Sequence, residues 1–155
     1  MRKKRNYKRD IEPDIKYENL KVARFINYLM EDGKKSVAQK IMYDALDQIA
    51  KKTQKDSLEV FEAAVENASP IYEVVSKRVG GANYQVPREV RADRKFFLAC
   101  HWLIEGAKSV KGKPAAIRLA DEIINVFNNE GYAIRKKQNV HKMAEANRAF
   151  AHFAR

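Results

Sequence analysis

Gly33-Lys34-Lys35-Ser36 is the first stretch of this 155-residue chain whose residue types could hold a phosphate. A nucleotide-binding P-loop places a glycine five residues before its Gly-Lys pair and a Ser or Thr directly after the lysine. Tyr28 and Lys35 stand at those positions, so that cradle is not encoded. The stretch reads instead as a short basic turn between helices, able to offer Lys34 and Lys35 to a phosphate backbone. Cys100-His101 pairs a thiol with an imidazole, the groups of a nucleophile or a metal ligand set. Cys100 shares an apolar stripe with Phe96 and Leu103, however, and is read as a core thiol. His101 has no second Cys or His at ligand spacing. His141 and His152 share a helix face, but the helical rise separates them by roughly 16 Å, too far to hold one ion. No nucleophile elbow, paired carboxylates or glycine-rich strand-to-helix turn stands out. The expectation is a protein without metal, cofactor or catalysis.

The chemistry that remains is cationic. Lys and Arg number 31 against 20 Asp and Glu, a formal net charge of +11. Counterion release makes a polyanion the natural partner, nucleic acid first and an anionic membrane surface second. No apolar run approaches the ~20 residues that span a bilayer, so no membrane partner is expected. The cations also cluster. Arg2, Lys3, Lys4, Arg5, Lys8 and Arg9 surround Tyr7 in a leading arm. Lys77, Arg78, Arg88, Arg91, Arg94 and Lys95 lie in and just after a predicted hairpin. Lys111 and Lys113 form a loop set, and Lys136, Lys137 and Lys142 a fourth. Lys142, Glu145, Arg148, His152 and Arg155 make a polar stripe on a final helix. An ordinary solvated face accounts for Arg148 and Arg155 alone; joined to arm and hairpin, a phosphate-binding surface accounts for all. Tyr84, beside Gly80-Gly81, could stack on an exposed base for ~1–3 kcal/mol or pack across the ribbon, and both readings stay open.

Positioning these groups falls to a mainly α chain: one bundle of about six helices, an inserted hairpin at about 71–90, and a basic arm over 1–16. Val22, Phe25, Ile26 and Leu29 predict a helix over 17–31. Val37, Ile41, Ala45 and Ile49 predict one over 36–52, and Asp56 opens a third that Pro70 closes. Ile71 to Val79 and Tyr84 to Val90 then read as strands about Gly80-Gly81-Ala82-Asn83, with Pro87 suited to an edge. Helical period returns near Asp93. A fifth helix starts at Pro114 and stops at Gly131. Arg135-Lys136-Lys137 reads as a connector, and the last helix begins near Asn139 with Met143, Ala146, Phe150 and Phe153 on its apolar stripe. A hairpin alone is at best marginally stable. Tipped with glycine and flanked by cations, it reads as a probe that orders on contact, as does the arm. One cysteine excludes an internal disulfide, and no signal-peptide core leads the chain, so a cytoplasmic location is expected.

Three separated runs are familiar as a set: RVGGANYQVPREVR at 78–91, LMEDGKKSVAQKI at 29–41 and HKMAEANRAFAHF at 141–153. They resemble the hairpin, the first helix-to-helix turn and the closing helix of the universal small-subunit ribosomal protein seven, bacterial form. The resemblance covers essentially the whole chain in the family's order. It implies a helical bundle with a protruding ribbon that binds the 3′ major domain of 16S ribosomal RNA early and nucleates assembly of the small-subunit head. It also implies a place near the exit site, with the ribbon approaching messenger and exit-site tRNA, and contact with ribosomal proteins nine and eleven. By position, Arg2 to Arg9 match the family's arm, and Lys34 and Lys35 its Gly-Lys-Lys turn. Lys77, Arg78, Gly80, Gly81, Tyr84 and Gln85 match the ribbon, and Lys136, Lys137, His141 and Lys142 the entry to the final helix. His101 and Val75 depart from the basic residues common there, which weakens RNA contact at those two positions. A helical nucleic-acid-binding regulator outside the ribosome is the alternative; it should show an exposed recognition helix, whereas the cations here favour arm, loops and ribbon.

Overall fold

The computed structural model describes residues 10–154; the cations expected at Arg2 to Arg9 lie outside the described residues. The chain divides into two compact units, Met1–Gln39 and Lys40–Arg155.

In the first unit a turn precedes the first helix. Asp14, 5% exposed, accepts from the Lys16 and Tyr17 amides at 3.1 and 3.2 Å. Asn19 then caps α1 (Leu20–Leu29), accepting from the Lys21 and Val22 amides at 2.8 and 3.3 Å. Those two side-chain acceptors are why the helix starts three residues after the expected Tyr17. Val22, Phe25 and Ile26 are its buried face. Asp32 and Gly33 take positive φ (52° and 72°) and turn the chain into α2 (Lys35–Thr53), which continues into the second unit.

The second unit holds the remaining elements: α3 (Ser57–Ala68), β1 (Tyr72–Val79), β2 (Ala82–Glu89), α4 (Ala92–Ser109), α5 (Ala115–Phe127), α6 (Gly131–Ala146) and a C-terminal 3-10 turn (Arg148–Ala154). Helices α3 to α6 pack on one another, burying Val60 and Phe61, Leu103, and Leu119, Ile123 and Val126. Asp56 caps α3 as expected, and Ser69-Pro70 ends it. The fold is mainly α with one two-stranded antiparallel hairpin.

The hairpin turns on Gly80 and Gly81 alone, φ 57° and 89°; Ala82 and Asn83, expected in the turn, belong to β2. Positive φ at both central residues is the tight-turn geometry whose twist matches the flanking strands. A Cβ at either glycine would meet nothing within 4 Å, so conformation and not crowding selects glycine there. The register pairs Val79 with Ala82 beside the turn and Val74 with Pro87 further down. Alternation from the hydrogen-bonded pair at the turn makes Val74–Pro87 a pair that exchanges no ladder bond, so the missing proline N–H faces away from β1.

Two boundaries near the C-terminus differ from expectation. Pro114 is the N-cap of α5 and Ala115 its first residue. More substantially, α5 ends at Phe127 and α6 begins at Gly131, so Arg135-Lys136-Lys137 is helical and not a connector. The cap of α6 is remote in sequence: Glu122 of α5 accepts from the Tyr132 and Ala133 amides at 2.8 and 3.0 Å through one oxygen. Helix α6 also stops early, at Ala146, where the expected stripe continued to Phe153. Asn147 folds its side chain back onto the Met143 carbonyl at 2.8 Å, and the chain tightens into the 3-10 turn. Met143, expected on the buried stripe, is 50% exposed.

Candidate nucleic-acid interface

At the base of the ribbon Glu73 is only 8% exposed and faces two arginines. Arg88, its cross-strand partner, donates to Oε1 from Nε and Nη2 at 2.9 and 2.6 Å. Arg94 of α4 donates to Oε2 at 3.3 Å and lies 4.9 Å from the Phe97 ring centre. Burial alone would push the Glu73 carboxyl up; the hydrogen bonds and charges of Arg88 and Arg94 outweigh it and hold the group below the ordinary carboxylate range. Both arginines were expected as phosphate ligands. Here both share the Glu73 carboxylate, tying β1 to β2 and α4.

Tyr84 has its answer in the C-terminal turn. Its ring centre lies 5.1 Å from Phe150 and 5.4 Å from Phe153, each tilted. Lys77, opposite Tyr84, donates to the Phe153 carbonyl at 2.6 Å. Two such aromatic pairs contribute ~1–3 kcal/mol beyond their buried area, enough to matter for a ribbon that is marginal alone. Tyr84 therefore packs, and it packs on the chain's own terminus, not across the ribbon. Gln85 donates to the Ser76 hydroxyl at 2.7 Å, another cross-strand use of a residue expected at the surface. Gly80, Gly81 and Arg78 remain exposed at the tip.

On α6 the expected cations divide. Lys137 turns inward and donates to the Asn67 carbonyl at 2.7 Å, closing the C-terminal end of α3; burial lowers its ammonium below the usual lysine range. His141 is likewise structural, its Nε2 accepting from the Ile71 amide at 3.0 Å, just before β1. An acceptor nitrogen must be unprotonated, and burial together with the nearby Lys137 charge lowers the imidazole below its ordinary value. Lys136 lies 3.6 Å from Glu105 and over the Tyr132 ring at 5.2 Å, with Tyr132 donating to the same carboxylate at 3.1 Å. Lys142 is exposed, as is Arg148, which sits 3.5 Å from Glu145. A cleft of about 840 Å³ between ribbon, α6 and the terminal turn is lined by both signs of charge, Arg88 and Arg148 with Glu89 and Glu145.

Elsewhere in the second unit Lys113 pairs with Asp121 at 3.2 Å, and Lys52, a cation not singled out from the sequence, pairs with the same carboxylate. Burial raises and the two lysines more than lower the Asp121 pKa, leaving it below its ordinary value. Among the described residues, Arg78, Arg91, Lys95, Lys111 and Lys142 are the expected cations of this unit that make no ion pair. In the first unit Lys34 and Lys35 are exposed in the Asp32–Gly33 turn, Lys34 lying 3.7 Å from Asp32.

What sequence reasoning missed are the acids. Glu73 and Asp121 decide which cations are paired and Glu122 caps α6, yet none of them sits in a motif; the one signal for Glu73 is a carboxylate within a β-branched run. No group of three or more His, Cys, Asp or Glu among the described residues could hold a metal ion. Cys100 is buried, as its stripe predicted. Among the described residues no helix is long and apolar enough to cross a membrane.

Comparison with known proteins returns one assignment. The family described as ribosomal protein S7p/S5e matches residues 1–148. Small ribosomal subunit protein uS7 of Fervidobacterium nodosum is 54% identical over 153 residues, covering 99% of each chain. The uS7 of Thermotoga maritima is also 54% identical with the same coverage, and that of Chloroflexus aggregans 55% over 96% of this chain and 94% of its own. The chain therefore belongs to the ribosomal protein S7p/S5e family, non-enzymatic structural proteins of the small ribosomal subunit.

Proposed function

We propose that this protein is a primary binder of 16S ribosomal RNA. In this reading it holds the 3′ major domain early, nucleates assembly of the subunit head, and lies near the exit site beside ribosomal proteins nine and eleven. The observation that carries the reading is the division among cations. Arg78 at the ribbon tip, Arg91 and Lys95 at the start of α4, Lys111 in the loop and Lys142 on α6 have no carboxylate partner among the described residues. Cations left unpaired by their own protein are the ones that release counterions when they meet phosphates. A rigid set of them reads RNA by shape and backbone spacing, which is how structured RNA is chiefly recognised.

Lys136 and Arg148 join this set as weaker contributors, each beside a carboxylate, and the first unit adds Lys34, also beside one, and Lys35. The arm, residues 1–16 in this reading, supplies six further cations within residues 2–9. The ribbon tip, Gly80-Gly81, is narrow enough to approach messenger or exit-site tRNA by backbone. Lys137, His141, Arg88, Arg94, Tyr84 and Gln85 act as supports that hold the ribbon and α6 in place.

The test is an affinity titration of the full chain against a 3′ major-domain RNA fragment and a scrambled RNA of equal length, across a salt series. Binding to the fragment that survives rising salt while the scramble is lost supports the reading. Equal, steeply salt-dependent binding to both reduces the protein to a generic polycation and defeats it.

A further inference from the structure

The ribbon has an intramolecular clamp, and the clamp is the C-terminal turn. In a 3-10 helix side chains three residues apart eclipse, so Phe150 and Phe153 fall on one side of Arg148–Ala154. Their rings lie 6.4 Å apart and nearly parallel, at 11°, and both reach Tyr84 in the middle of β2. The Lys77 ammonium on the paired strand closes the arrangement by donating to the Phe153 carbonyl. A continuous α6 would carry Phe150 and Phe153 along its own axis; the break at Asn147 is what brings them to the ribbon. His141 and the Glu73 pairs hold the ribbon's base, whereas the terminal turn holds its middle, close to the glycine tip.

We infer that residues 148–153 are a positioning element that keeps the ribbon ordered and aimed before any RNA is present, so the ribbon does not wait for a ligand to order it. Tyr84 belongs to this clamp and not to the nucleic-acid surface. The consequence is specific: the terminus sets ribbon dynamics while contributing little to the helical core, since Ala149, Ala151 and His152 are exposed and Phe150 and Phe153 are only half-buried.

Hydrogen exchange of the free full-length protein tests this, read segment by segment, against Phe150→Ala/Phe153→Ala and against a chain ending at Asn147. Amides of residues 76–85 should exchange roughly ten- to a hundredfold faster in both variants, with α3 and α5 unchanged. Unchanged ribbon protection in either variant overturns the inference. Faster exchange throughout α3 and α5 as well as the ribbon also overturns it, because the turn would then be core and not clamp. Because no RNA enters the measurement, its outcome is independent of the proposed RNA-binding role.

Discussion

Substituting Gly106 by alanine should destabilise the protein, although alanine is the better helix former. Gly106 lies within α4, where a glycine costs about 1 kcal/mol relative to alanine, so propensity alone predicts a gain of that size. The structure reverses the sign. A Cβ at residue 106 would stand 2.7 Å from Glu122 Cδ and 2.8 Å from its Oε1. Glu122 is 7% exposed and is itself committed: the same oxygen accepts the Tyr132 and Ala133 amides that begin α6. Displacing it leaves two donors without their acceptor, at about 1–3 kcal/mol each when buried, of which partial relaxation recovers some. The net expectation for Gly106→Ala is a loss of about 1–3 kcal/mol, and for Glu122→Ala about 2–4 kcal/mol. Chemical denaturation monitored by circular dichroism measures both, and the double variant decides the cause. With Glu122 already removed, the new methyl has room, so Gly106→Ala made in the Glu122→Ala background should stabilise by up to about 1 kcal/mol. A stabilising Gly106→Ala in the parent chain, or an equal cost in both backgrounds, would refute the steric account. Glu122 also has a pH signature. Burial raises its pKa above the ordinary 4.5 despite the two amides and Arg135. An acid raised in the folded state stabilises fully below its unfolded pKa and loses that contribution as pH rises through the folded one. Glu122→Gln keeps the acceptor without the charge, so relative to the parent it should gain stability between acid and neutral pH.

Two further expectations follow from the geometry and a third from the charge of the sequence. His141 accepts the Ile71 amide while neutral, with its pKa lowered, so its contribution is complete above about pH 6.5 and lost as pH falls through the folded value. Exchange at residues 71–75 should therefore accelerate between pH 7.5 and 5.5 in the parent and be pH-independent, beyond intrinsic chemistry, in His141→Gln. Arg78→Ala should flatten the salt dependence of RNA binding by about 0.7–0.9 in log–log slope, whereas Arg88→Ala should change it little and loosen the ribbon instead; equal slopes for the two would mean that the Glu73 pairing does not decide which arginine meets RNA. Deleting residues 2–9 removes six of the 31 cations, leaving 25 against 20 acids and a net charge of +5 in place of +11. RNA affinity should fall and its salt slope flatten with no change in melting temperature, and a large thermal loss would show the arm to be packed.

Most of the helices were legible because their signals are local. Asp56 and Pro70 bracket α3, and of the every-fourth-residue apolar pattern of α2 Ala45 and Ile49 are buried, Ile41 half-buried and Val37 exposed. The tight turn of the hairpin follows from two adjacent glycines whose conformational freedom needs no tertiary context. The start of α6 was illegible for the opposite reason. Its cap comes from Glu122, an element away, and local reading placed the basic triplet in a connector because no capping side chain stands beside Gly131. The candidate interface was legible as an inventory of cations and not as a surface: nothing in spacing distinguishes Arg78, which is unpaired, from Arg88 in the same ribbon, which Glu73 holds.

By itself the sequence determined the class of partner, the helical character, the glycine-turned ribbon and, through three separated motifs, the family. These rest on composition and on periods of two to four residues, which the backbone expresses wherever the chain goes. Tertiary structure decided which charges are spent inside the protein, where α6 begins and ends, and what steadies the ribbon. The spent charges and the steadied ribbon depend on side chains meeting groups far along the chain, Lys77 with Phe153, His141 with Ile71 and Lys137 with Asn67, and only folding brings such groups within hydrogen-bond reach.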